Sequence, residues 1–92
     1  HDNDTSLGWY RALDDATRAV VDRWLGSTVS MPWRFIERAF GTRANTAIVP
    51  LQDFLGLGGE ARMNTPGVAA GNWGWRCAAD GLTPALARRI RG

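Results

Sequence analysis

The segment Thr46-Ala47-Ile48-Val49-Pro50 is a short apolar run without alternation. That pattern suits a strand buried on both faces, as in a parallel sheet covered by helices. No second segment of the 92 residues reads convincingly as a strand. A lone strand leaves its backbone N–H and C=O groups without partners. Three outcomes remain open: its neighbours lie in another part of a longer chain, it pairs between molecules, or it is not a strand in these residues. The sequence also starts at His1 rather than at a Met, which adds to the expectation of a piece of a longer polypeptide.

Helical patterns surround the run. Thr5 or Asp4 can cap a short helix with Leu7, Tyr10 and Leu13 on one side, and Asp14 or Asp15 can cap the next. In that second helix Ala16, Val20 and Trp24 repeat at i, i+4, with Val21 and Leu25 alongside, which predicts the buried stripe; Gly26 suits the stop. Ser30 is the expected cap of a third helix, with Pro32 in its first turn, Trp33, Ile36 and Phe40 on one face, and Gly41 at its end. Residues 51–55 suit one helical turn, residues 58–82 read mostly as loop, and Thr83-Pro84 opens a last helix through Leu86, Ala87 and Ile90. A loop of that length is uncommon in a compact domain and is usually functional or disordered. Trp73 and Trp75 argue against disorder here, because they carry too much apolar surface to leave in water.

Ninety-two residues suffice for one small domain and not for two. The 11 basic residues are all Arg and face 9 acidic ones, a net charge of +2 without the one-sided basic stripe of a nucleic-acid footprint. Arg88, Arg89 and Arg91 suit the C-terminal end of the last helix, where cations meet the helix dipole. Cys77 is alone, so no internal disulfide forms, and a reducing, cytoplasmic setting is expected. No apolar run approaches the roughly 20 residues of a membrane span. Neither nucleic acid nor membrane is an expected partner. One alternative is a small helical nucleic-acid-binding module, since the helices at 14–25 and 31–40 could imitate a helix-turn-helix that exposes Arg34 and Arg38. Against it, Glu37 lies between those arginines.

Two motifs carry chemistry. The chain opens on His1-Asp2-Asn3-Asp4-Thr5-Ser6-Leu7-Gly8-Trp9. Further on, Ile48-Val49-Pro50-Leu51-Gln52-Asp53-Phe54-Leu55-Gly56-Leu57-Gly58 leads into Ala61-Arg62-Met63-Asn64-Thr65-Pro66-Gly67 and Asn72-Trp73-Gly74-Trp75-Arg76. Both segments, in this order, resemble the C-terminal part of the 4-α-glucanotransferases, the amylomaltase or disproportionating enzymes. The resemblance implies the last quarter or so of a (β/α)8 barrel, a fold of about 250 residues. The fragment by itself would be mostly α, with at most one or two short strands. Residues 1–45 would hold helices after the seventh strand, 46–50 the eighth strand, 51–82 a substrate-side loop and 83–92 the last helix.

The resemblance also implies roles. Retaining transglycosidases use one carboxylate as nucleophile and a second carboxyl group as acid and base. His1-Asp2 matches a family pair whose carboxylate stabilises the transition state, and Asn64 matches an amide that contacts glucan. Asp2 would be the catalytic residue, with His1 and Asn64 binding substrate. Read as residues alone, Asp2 is equally a helix cap or a solvated terminus, and Asn64 equally an Asx-turn shaping Thr65-Pro66-Gly67. No segment resembles the family's nucleophile or acid/base motifs, so the 92 residues alone are expected to be inactive. No metal or organic cofactor is implied; the partners are a malto-oligosaccharide or α-1,4-glucan and the remainder of the barrel. Trp73 and Trp75 could stack on sugars, but core packing is the expectation. Asp53 is expected to cap or to pair with Arg62 or Arg76. A second alternative is a stand-alone glucan-binding or protein-interaction domain built on the two tryptophans.

Overall fold

The computed structural model describes residues 1–26 and 30–92. Among them the chain forms α1 (Ser6–Ala12), α2 (Asp15–Leu25), α3 (Trp33–Phe40), α4 (Leu51–Phe54), a 3₁₀ turn (Gly59–Ala61) and α5 (Pro84–Arg91). No described residue lies in a strand, so the expected strand at 46–50 is not a strand in this chain. Nothing within the described residues pairs with it, and without a ladder partner the run forms no strand. Ile48 is accordingly 88% exposed.

α1 starts where its sequence indicates. The Thr5 hydroxyl accepts from Gly8 N at 3.1 Å, and Asp4 Oδ1 accepts from Thr5 N at 2.7 Å. A further acceptor comes from far along the chain. Asp53, buried in α4, accepts from Ser6 N at 2.8 Å through Oδ1 and from Ser6 Oγ at 2.7 Å through Oδ2. A helix leaves its first N–H groups unpaired and carries partial positive charge there, so a carboxylate fits this end twice over. Of the two expectations for Asp53, capping or an Arg partner, the structure shows a capping role at the start of α1, with Ser6 rather than Arg62 or Arg76 as its partner. Gly8 and Gly59 let the Asp4 carboxylate lie between α1 and the 3₁₀ turn, since a Cβ on Gly8 would fall 2.6 Å from its oxygens and one on Gly59 within 3.5 Å.

α2 is capped by Asp14, which accepts from Thr17 N at 2.7 Å, and ends at Gly26 with φ 58°. Its buried face differs from the expected stripe. Val20 is 59% and Trp24 60% exposed, while Leu25 is buried. The reason is polar: Tyr10 OH donates to Asp22 Oδ1 at 2.6 Å, and Arg18 donates to the carbonyls of Tyr10, Arg11 and Leu13. These bonds turn the Arg18–Asp22–Leu25 side toward α1 and α3. The Val20–Trp24 side meets solvent, with the Arg38 guanidinium 4.6 Å over the Trp24 ring.

α3 packs against α2 and α4. Ser30 is not its side-chain cap. Pro32 holds the cap position and no side-chain oxygen caps the helix, while Arg34 N donates to Ser30 O and Ile36 N to Pro32 O. Trp33 and Ile36 are buried as expected, but Phe40 is half-exposed. Phe54 of α4 gathers the rings, 5.9 Å from Trp33 and 6.3 Å from Phe40. α5 opens with Thr83 accepting from Leu86 N at 3.1 Å, and Arg89 lies 4.0 Å over the Trp33 ring.

The apolar residues buried in this core, among the described residues, are Leu25, Trp33, Ile36 and Ala61. The accessible surface is 6606 Å², against about 5,300 Å² for a folded monomer of this mass. The radius of gyration is 14.3 Å, against about 12 Å for a compact domain of this length. Several large apolar side chains, Val20, Trp24, Ile48 and Trp73 among them, are exposed.

Two consequences are measurable. Asp53→Ala leaves the Ser6 amide and hydroxyl without their acceptor and lowers stability by about 2 kcal/mol, read from the urea midpoint; Asp53→Asn recovers part of it, because an amide oxygen still accepts. Tyr10 is the one tyrosine of the chain. Its hydrogen bond to Asp22, with burial and the Asp22 charge behind it, raises its pKa above the ordinary 10.0. The stability this bond contributes is fully present below the unfolded tyrosine pKa and is lost as pH rises through the folded one. Near-ultraviolet absorbance titration of Asp22→Asn should return phenol ionisation toward 10.0.

Candidate functional site

In front of α1, residues 1–4 run alongside the segment that follows the 3₁₀ turn. Asn64 Nδ2 donates to Asp2 Oδ1 at 2.7 Å, across 62 positions of sequence. His1 Nε2 lies 3.0 Å from the same oxygen. The three residues singled out from the sequence are thus brought together on one carboxylate oxygen. An ionised carboxylate offers about four lone-pair sites, and both of these contacts fall on Oδ1. The Asp2 side chain is exposed, so Oδ2 is open to hydroxyl donors. Carboxylate, amide and imidazole together supply acceptors and donors in the mixture that a sugar hydroxyl needs.

The capping alternative for Asp2 and the Asx-turn alternative for Asn64 fall, while the Asp2 side chain remains solvated. Asp2 does not cap α1, since Thr5 does. Asn64 does not shape the bend after it; Asn72 does, accepting from Thr65 N at 2.9 Å and donating to Val68 O at 2.8 Å. Within that loop Val68 N donates to Thr65 O, with Pro66 and Gly67 at the turn positions and Gly67 at φ 83°, as a type II turn requires. The Asn64 side chain is thereby left for Asp2.

Trp73 departs from its expected place in the core. It is 52% exposed and carries φ 62°, a left-handed conformation that bulky residues seldom adopt. Its N–H donates to Met63 O at 2.6 Å, and its ring lies 4.9 Å from the His1 ring at 43°. Trp75 is half-buried, and Arg76 donates to the carbonyls of Trp73 and Trp75 rather than to Asp53. Gln52 is also structural, donating to Ala61 O at 3.2 Å.

Arg62, one of the two arginines open as a partner for Asp53, binds elsewhere. Its Nη2 donates to Asp2 O at 2.6 Å and its Nε to Asn64 O at 2.8 Å. It borders a cleft of about 220 Å³ shared with His1, Asn3, Pro50, Gln52 and Met63. The available signal was weak: Arg62 stands outside any helix, where no residue one turn away takes up its charge.

Elsewhere, Arg34 and Arg38 are engaged within the chain, Arg34 3.6 Å from Asp22 and Arg38 on Trp24. Residues 27–29, where the turn of a helix-turn-helix would fall, lie outside the described residues. Among the described residues no group of three His, Cys, Asp or Glu side chains could hold a metal ion, and no helix is long and apolar enough to cross a membrane.

The chain as a whole has clear counterparts. Residues 1–83 match the family model of the 4-alpha-glucanotransferases. The chloroplastic/amyloplastic 4-alpha-glucanotransferase of Arabidopsis thaliana is 47% identical over 78 residues, covering 83% of this chain and 14% of the relative. The enzyme of Thermus thermophilus is 42% identical over 98 residues, covering 99% of this chain and 20% of its own length. In three dimensions the chain is similar to part of an amylomaltase from Streptococcus agalactiae solved in complex with acarbose, with a TM-score of 0.91 and 27% identity over 99% of this chain and 19% of that one. The chain belongs to the 4-α-glucanotransferase family, and it spans a fifth or less of the length of these relatives.

Proposed function

We propose that this chain is the C-terminal portion of the catalytic barrel of a longer 4-α-glucanotransferase. That enzyme cleaves an α-1,4 bond in a malto-oligosaccharide or related glucan, holds the glycosyl group covalently and passes it to another glucan with retention. Asp2 stabilises the oxocarbenium-like transition state, while His1 and Asn64 bind the sugar. The observation that carries this reading is the bond from Asn64 to Asp2. It joins the two motifs that resemble the family, and it leaves an exposed carboxylate oxygen for substrate.

The chemistry follows from charge. As positive charge develops on the sugar ring, a carboxylate held beside it by hydrogen-bond donors gives the transition state electrostatic stabilisation that the ground state lacks. The amide and imidazole keep the carboxylate aimed. The nucleophile and the acid/base belong to segments outside these 92 residues. The segment 46–50 serves as the eighth strand when the rest of the sheet is present, 51–82 lies on the substrate side and 83–92 forms the last helix. The exposed Ile48, Val20 and Trp24 support a partner in the remainder of the barrel. No metal or cofactor takes part in this reading, and its setting is the cytoplasm.

A second reading has one observation in its favour. The half-exposed Trp73 beside His1 is suited to stack on a glucose ring, which would make the 92 residues a glucan-binding unit without catalysis.

In the full-length enzyme that carries these residues, Asp2→Asn lowers kcat by about 100-fold or more with folding intact by circular dichroism, and Asn64→Ala raises KM for maltotriose. Near-normal turnover in Asp2→Asn removes Asp2 from the mechanism. The purified 92-residue chain releases no glucose from maltotriose; detectable disproportionation would contradict the reading. Quenching of its tryptophan fluorescence by maltotriose, abolished in Trp73→Ala, is the outcome expected of the glucan-binding alternative.

A further inference from the structure

Arg62 touches neither the Asp2 carboxylate nor the Asn64 amide. It holds the backbone beneath both. Its two described bonds end on main-chain carbonyls, Asp2 O at 2.6 Å and Asn64 O at 2.8 Å, so the grip is on the position of the two residues rather than on their side-chain chemistry. We propose that Arg62 is the positioning residue of the site, a guanidinium that fixes the distance between the Asp2 carboxylate and the Asn64 amide. The inference rests on the proposed roles of those two residues.

Three features support it. The guanidinium is planar, and its donors stand in a fixed fork, so two acceptors bound to it are fixed relative to each other. The platform behind it is firm: Arg62 N donates to Gly59 O at 3.1 Å, Ala61 is fully buried, and Ala61 O accepts from Gln52. Finally, the helix next to the site does not depend on Arg62. α1 is held by Thr5 and Asp53, and residues 1–3 lie outside it.

Without Arg62 the pairing of Asp2 would rest on contacts from the half-buried Asn64 and the exposed His1 side chains. Such contacts order little in water. A carboxylate and an amide displaced by about 1 Å from their productive spacing cost turnover on the order of 100-fold. Lysine offers no remedy, because one ammonium on a flexible stem does not reproduce a two-pronged fork.

The test uses the full-length enzyme, with kcat and KM measured separately for Arg62→Ala, Arg62→Lys and Asp2→Asn. Arg62→Ala is expected to lower kcat about 100-fold with a melting temperature near that of the wild type. Arg62→Lys should stay close to it, and added guanidinium ion, kept well below denaturing concentration, should restore part of kcat to Arg62→Ala but none to Asp2→Asn. A purely structural arginine would show no such rescue at native stability. If Asp2→Asn collapses turnover while Arg62→Ala stays within about threefold of wild type, the positioning role is overturned. If Asp2→Asn itself turns over normally, the reading beneath it fails instead. Should Arg62→Ala not fold, Arg62→Lys decides, and a wild-type kcat in that variant overturns the proposal.

Discussion

The carboxylate of Asp53 is the joint on which the arrangement depends. By accepting from the amide and the hydroxyl of Ser6, it fastens the first helix of the chain to a helical turn 47 residues later. A buried carboxylate is costly unless its lone pairs are taken, and here a helix start supplies what it lacks. From this joint the geometry runs outward in both directions. Upstream of Ser6, residues 1–4 leave the helix in one course; downstream of Asp53, the chain turns through Gly56 and the 3₁₀ turn to bring Arg62 and Asn64 beside them. The Asn64 to Asp2 bond is the outer edge of an assembly whose inner edge is Asp53.

The surface shows the opposite economy. The described helices bury few apolar side chains, and α2 turns its polar side inward, because Tyr10, Arg18, Asp22 and Arg34 find one another there. Polar bonds of this kind orient helices without adding much stability of their own. The apolar side of α2, left outside, is the side that would bury area against another layer. The small core leaves the arrangement resting on polar bonds between segments far apart in sequence, Asp53 to Ser6 and Asn64 to Asp2 among them.

What could be read from the sequence was what short-range chemistry decides. Thr5, Asp14 and Thr83 cap the helices because a side-chain oxygen two or three residues ahead of an unpaired N–H is a local matter, and Gly26 ends α2 for a similarly local reason. The direction a helix faces was not local. Ala16, Val20 and Trp24 have the right period for a core stripe, yet period alone says which residues share a side and not which side meets a neighbour. His1 and Asn64, singled out with Asp2 by the family resemblance, lie within hydrogen-bond reach of its carboxylate, whereas the roles of Asp53 and Arg62 depended on partners about 47 and 60 positions away that no local pattern announces. Trp73 was misplaced in the core because composition counts its apolar area without knowing its backbone conformation.

The loop between Thr65 and Asn72 is closed at its base twice, by Asn72 on Thr65 and by Trp73 N on Met63 O. A loop so closed is uncoupled from what it joins. Lengthening a surface loop costs little chain entropy, since that cost grows only as the logarithm of its length, and here the flanking bonds hold Asn64 whatever lies between. The stretch around Gly67 and Gly71 is therefore a place where evolution or a protein engineer can graft new sequence while Asn64 and Asp2 stay where they are.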